Sequence, residues 1–135
     1  MTLHVITFDL DNTLWDVEPA LLRAEAAQRR WLLEHRPGAV DDLDEERLWD
    51  LKKQLWKANP ELAHDVSAMR RLFLERLQRA AGYDATRARE GADAAFDAFL
   101  VERQRVELYP GALEVIAELA ERFCLGALTN GNADI

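Results

Sequence analysis

The chain opens on an apolar, β-branched run, Leu3-His4-Val5-Ile6-Thr7-Phe8, that Asp9-Leu10-Asp11-Asn12 breaks. A short apolar run ending in turn-forming residues predicts a buried strand of a parallel sheet. From Pro19 to Arg105 the apolar positions recur at helical spacing. Pro19 suits a first helical turn, Ala20 to Glu34 is rich in helix formers, and His35-Arg36-Pro37-Gly38 ends that helix. Leu48, Leu51 and Leu55 share a second helical face, closed by Asn59-Pro60. Asp65 is placed to cap a third helix with the stripe Val66, Met69, Phe73, Leu77 and Ala80, which Gly82 stops. Ala88, Ala92, Ala95, Phe96 and Phe99 make a fourth face. Tyr109-Pro110-Gly111 then opens a helix with Leu113, Val115, Ile116 and Leu119. Phe123 to Leu128 is a second buried-strand run, ended by Thr129-Asn130-Gly131-Asn132. The order strand, helical insert, helix, strand predicts an α/β fold, with residues 1–16 and 106–135 as the core and 17–105 as an inserted four-helix bundle.

Composition narrows the function. At 135 residues the chain is about one domain and long enough to bury a core. Twenty-five acidic against 17 basic residues give a net charge of −8, which argues against a nucleic acid polymer as partner. A small anionic substrate remains compatible, because local groups and a metal outweigh the global field. Cys124 is the single cysteine, so no internal disulfide forms; its apolar setting predicts a small buried hydrophobe. No leader pattern precedes the first strand and no apolar run is long enough to span a membrane, so a cytoplasmic protein is expected.

The chemistry centres on Asp9-Leu10-Asp11-Asn12-Thr13. Residues i and i+2 of an extended segment project to one side, so both carboxylates can face one crevice. Open α/β sheets bind ligands at the carboxyl ends of their strands, where this pair lies. Two adjacent carboxylates favour a bound cation, and a hard divalent ion with oxygen ligands, most simply magnesium, suits them. One carboxylate can attack phosphorus while its neighbour protonates the leaving oxygen and later deprotonates water. At the second strand end, Thr129 offers a hydroxyl, and Asn130 and Gly131 offer backbone N–H groups to a phosphate. Turn chemistry alone would explain either cluster; two matched clusters on two apolar strands point to a site.

Phe8-Asp9-Leu10-Asp11-Asn12-Thr13-Leu14 resembles the first motif of the haloacid dehalogenase superfamily, and Leu128-Thr129-Asn130-Gly131 resembles its second. The likeness implies a Rossmann-like core with an inserted helical cap and magnesium-dependent hydrolysis of a phosphate monoester through an aspartyl-phosphate. It implies Asp9 as nucleophile and magnesium ligand, and Asp11 as general acid/base and ligand through its carbonyl. Thr129, Asn130 and Gly131 would hold the phosphoryl group. The details around Trp15, Asn59-Pro60-Glu61 and His64-Asp65-Val66 resemble the bacterial branch that includes flavin mononucleotide phosphatase. A small phosphorylated metabolite, flavin mononucleotide or another nucleotide, is then the expected substrate. The family also uses a lysine and a further acidic motif after the second strand, whereas Lys52, Lys53 and Lys57 all lie in the helical insert. The core is therefore expected to be incomplete within these residues and the 135-residue chain inactive by itself, with self-association through the open sheet.

Other signals stay open. Trp15 either walls the site or packs between core and insert. His64 and Arg70 are expected in capping or solvated roles, Trp31, Trp49 and Trp56 in the bundle core, and Asp41 to Arg47 in a solvated loop and helix start. The rival activities are haloacid dehalogenation, which also uses an aspartate nucleophile, and a helical binding or oligomerising fragment. Asp11 argues against the first, because halide departure needs no general acid.

Overall fold

The structure, a computed structural model, describes residues 4–40 and 44–131. Leu3, Asp41 to Leu43, and Asn132 to Ile135 lie outside the described residues. The elements run β1 (Val5–Phe8), α1 (Glu18–His35), α2 (Glu45–Ala58), α3 (Val66–Ala80), α4 (Ala85–Arg103), α5 (Ala112–Ala120) and β2 (Cys124–Ala127). Single 3-10 turns at Pro37–Ala39 and Pro60–Leu62 separate α1 from α2 and α2 from α3. α2, α3 and α4 begin on aspartate caps: Asp44 accepts from the N–H of Arg47 at 2.7 Å, Asp65 from Ala68 at 2.8 Å and Asp84 from Arg87 at 3.0 Å. Each cap satisfies a donor the helix leaves without an internal partner.

The buried core lies among the helices. α4 packs against both α1 and α3, and α2 leans on α3. Leu32, Met69, Phe73, Leu74, Leu77, Phe96 and Phe99 form its centre, and the small residues Ala88, Gly91, Ala92 and Ala95 let α4 approach its neighbours closely. The expected stripes of α3 and α4 are buried except at their ends, where Val66 and Ala80 are exposed. Three expectations are corrected. Trp49 and Trp56 are exposed, since each follows its face residue by one position, about 100° round the helix. Arg70 is neither solvated nor a cap: its guanidinium lies over the Phe99 ring, 3.8 Å from Glu25 and hydrogen-bonded to Gln28 at 3.3 Å. Burial lowers its pKa, and Glu25 partly offsets this. Cys124 is exposed.

β1 and β2 form a parallel pair in the register Val5↔Cys124 to Phe8↔Ala127. α5 starts after Gly111, whose φ of 82° is the left-handed conformation that glycine tolerates, and it packs on β2. The two strands are not buried on both faces as the apolar runs predict: Val5 is 55% exposed, and Leu113 and Val115 of α5 are exposed too. One helix on a two-stranded sheet covers too little of it among the described residues.

Candidate active site

The register of the sheet builds the site. Because Phe8 pairs with Ala127, Asp9 follows one strand and Leu128 the other at the same edge, and the Leu128 N–H continues the ladder to the Phe8 carbonyl at 2.8 Å. The polar clusters Asp9–Asp11 and Thr129–Gly131 are therefore neighbours at the carboxyl edge of the sheet, where α/β sheets bind ligands.

The loop after β1 is held by its own bonds. The N–H groups of Thr13 and Leu14 donate to the Leu10 carbonyl at 3.1 and 2.9 Å, and that of Asn12 donates to Trp15 at 2.7 Å. Asn12 takes a φ of 60°, a left-handed conformation that asparagine tolerates better than most residues. Its side chain accepts from the Val17 N–H at 3.2 Å, and Asp16 accepts from Glu18 at 3.0 Å, so loop side chains satisfy the start of α1. Trp15 bridges to Leu108, and the Tyr109 N–H reaches the Leu14 carbonyl at 2.8 Å. The chain thus enters and leaves the helical region along adjacent paths.

Asp11 is the most contacted of the expected site residues. Trp15 Nε1–H donates to its Oδ1 at 2.8 Å, and the Arg103 guanidinium donates to its Oδ2 at 2.5 Å. Gly131 stands against the same group: a Cβ placed on it would lie 3.0 Å from Asp11 Oδ2, 3.1 Å from Thr129 Oγ1 and 3.4 Å from Arg103 Nη2. The structure therefore brings Asp11, Thr129 and Gly131 together. Asp9 is exposed at the strand end, and among the described residues no hydrogen bond or ion pair engages it; Asn130 is exposed as well. The Gly131 N–H, expected to face a phosphate, donates instead to Thr129 Oγ1 at 2.9 Å. Trp15 stands at the site as a donor to Asp11, a bond that neither expected role specified.

Arg103 was absent from the expected site. Its signal was in the sequence, for Arg103 continues the spacing of Ala92, Phe96 and Phe99 on the buried side of α4, where a cation is out of place. Elsewhere, a groove of about 330 Å³ lies among α1, α2 and α3, with Gln28, Leu32, Lys52, Trp56, Arg70 and Phe73 in its wall. Neither aspartate of the strand end lines it, so groove and carboxylates are separate features. His64 is exposed in the turn before α3.

A parallel strand pair carrying a carboxylate cluster at its carboxyl edge, with helices inserted between the strands, is an α/β arrangement with an inserted helical region. The chain belongs to the haloacid dehalogenase-like hydrolase family, whose model matches residues 3–135. It is 34% identical over 131 residues to the 5-amino-6-(5-phospho-D-ribitylamino)uracil phosphatase YigB of Escherichia coli, covering 97% of this chain and 55% of that protein. Its structure is similar to that of a 2-haloacid dehalogenase from Pseudomonas syringae pv. Tomato, with a TM-score of 0.92 and 41% identity over 98% of this chain and 57% of that one. The HAD-hydrolase YfnB of Bacillus subtilis shares the fold, with a TM-score of 0.54 and 22% identity over 98% of this chain and 56% of that one. The chain spans a little over half the length of these relatives. Among the described residues no helix is long and apolar enough to cross a membrane.

Proposed function

We propose that the protein hydrolyses a phosphate monoester of a small metabolite through an aspartyl-phosphate on Asp9. The observation that carries this reading is the convergence of Asp11 with Thr129 and Gly131 beside Asp9, at the carboxyl edge of the paired strands. Asp9, unengaged and exposed, is free to attack phosphorus. Asp11, two residues on, protonates the leaving oxygen and then takes a proton from the water that hydrolyses the intermediate. Thr129 and Asn130 hold the phosphoryl oxygens, together with Gly131 where the turn opens its N–H from Thr129. Residues 17–105 act as a cap over this edge, on a core of residues 1–16 and 106–135.

Magnesium fits the site in donor type. The Asp9 carboxylate and the Asp11 carbonyl are hard oxygen ligands, and Asp11's carboxylate oxygens are already engaged by Trp15 and Arg103. Among the described residues no three His, Cys, Asp or Glu side chains stand together, so these donors account for part of a coordination sphere. When bound, the ion supplies charge neutralisation for the nucleophile and the phosphate.

The substrate class follows from YigB, whose name specifies a phosphorylated ribityl chain on a heterocycle. Flavin mononucleotide carries the same ribityl phosphate, so a ribityl phosphate ester is the proposed substrate. The decisive experiment takes the protein at the full length of its relatives. It measures phosphate release from flavin mononucleotide and p-nitrophenyl phosphate, with and without magnesium. Magnesium-dependent release is expected. Dechlorination of 2-chloropropionate without phosphate release would establish the dehalogenase reading, which the 41% identical solved structure brings forward.

A further inference from the structure

Arg103 closes α4 where that helix meets the loop carrying the two aspartates. Its side chain is 2% exposed, and its only hydrogen bond among the described residues is the one to Asp11. Nε and Nη1 are buried without an acceptor there. A buried guanidinium loses its hydration, and a single carboxylate with idle donors beside it repays that loss poorly. An apolar residue at this position would extend the face of Ala92, Phe96 and Phe99 without that cost. Helix packing therefore does not account for Arg103.

Its effect is on Asp11. Trp15, from the same loop, holds one oxygen, and Arg103, from the end of a distant helix, holds the other. With both oxygens engaged, the orientation of the carboxylate depends on where the last turn of α4 sits. We infer that Arg103 is a positioning residue, which aligns Asp11 for proton transfer and links that alignment to the seat of α4 beside the catalytic loop. This rests on Asp11 being the acid/base of a phosphate ester hydrolysis. To reach a leaving oxygen, Asp11 releases one of its two donors, and the Gly131 turn lies against the oxygen that Arg103 holds.

The test uses the full-length enzyme with magnesium, and compares p-nitrophenyl phosphate with glycerol 2-phosphate, whose leaving alkoxide needs protonation. Arg103→Met should lower kcat on the alkyl ester about tenfold more than on the aryl ester, part of the hundredfold or greater effect of general acid catalysis. KM should change little, and Arg103→Lys should recover part of the loss. In an Asp11→Asn background, Arg103→Met should add almost nothing to the split. Equal losses on both esters, a change confined to KM, or additive losses in the double variant would each overturn the positioning role. Should Arg103→Met fail to fold, Arg103→Lys decides: a smaller split of the same sense supports the role, and a uniform loss overturns it. A wild-type enzyme inactive on both esters would overturn the proposed function and this role with it, whereas an active one without the split overturns the role alone.

Discussion

Trp15 Nε1–H donates to Asp11 Oδ1 at 2.8 Å, across the tight turn that Asn12 makes in a left-handed conformation. The indole thus holds the carboxylate from inside its own loop, and Phe at this position would keep the bulk and lose the donor. A hydrogen bond to a charged acceptor contributes about 1.5–3 kcal/mol. Trp15→Phe should therefore slow hydrolysis of an alkyl phosphate about tenfold or more, by the usual conversion of barrier to rate. Steady-state kcat on glycerol 2-phosphate checks it, and an unchanged value would remove Trp15 from the acid/base machinery.

Asp9 offers a sharper test. An amide cannot form an acyl-phosphate, so Asp9→Asn in the full-length protein should lose at least about a hundredfold in kcat. The variant should remain folded, because the wild-type carboxylate is exposed and makes no hydrogen bond among the described residues. Phosphate release together with a circular dichroism spectrum reads both outcomes. A folded variant that keeps more activity than this would exclude covalent catalysis at Asp9.

The sequence made the long helices legible wherever one residue type carried one physical role. Asp65 lies between a turn and an apolar stripe and caps α3; Ala88, Ala92, Ala95, Phe96 and Phe99 repeat at helical period and are buried. The neighbourhood of Asp11 and Thr129 was readable too, because each ends an apolar run. Trp49, Trp56 and Cys124 misled because apolar character was read as burial, although their positions on the helix or strand leave them exposed. Arg103 and Trp15 escaped for the opposite reason. Arginine is ordinarily read as solvent-facing, and the indole's partner depends on a left-handed residue that no periodicity encodes.

Gly91 predicts a packing conflict. A methyl group there would overlap the buried Gln78 amide and come within 3.1 Å of Arg36 Nε. Alanine is favoured over glycine inside a helix by about 1 kcal/mol. Overpacking a tight core typically costs about 1–3 kcal/mol. Gln78 is fully buried and tied to the Leu74 carbonyl at 3.2 Å, so it has little room to yield, and the clash should win. Gly91→Ala should lower the midpoint of thermal unfolding. Adding Gln78→Ala should recover part of the loss, because it removes the obstructing amide, whose Oε1 has no partner among the described residues. A midpoint that rises in the single variant would show that Gln78 moves aside freely.

The cap of α4 makes stability depend on acid. The Arg87 N–H donates to Asp84 at 3.0 Å, and this bond, with the Arg87 charge adding to it, holds the Asp84 carboxyl below its ordinary value of 3.8. The folded state thus binds the proton less readily than the unfolded chain. The stabilisation is fully present above the unfolded value and is lost as pH falls through the lower, folded one. Asn caps a helix about as well as Asp but does not ionise in this range. The difference in unfolding midpoint between wild type and Asp84→Asn should be constant above about pH 5 and shrink progressively below about pH 4. Circular dichroism melts from pH 7 to about pH 2 would follow it across the carboxylate range. A difference that stays the same down to the lowest pH would mean the Asp84 charge contributes nothing to holding α4.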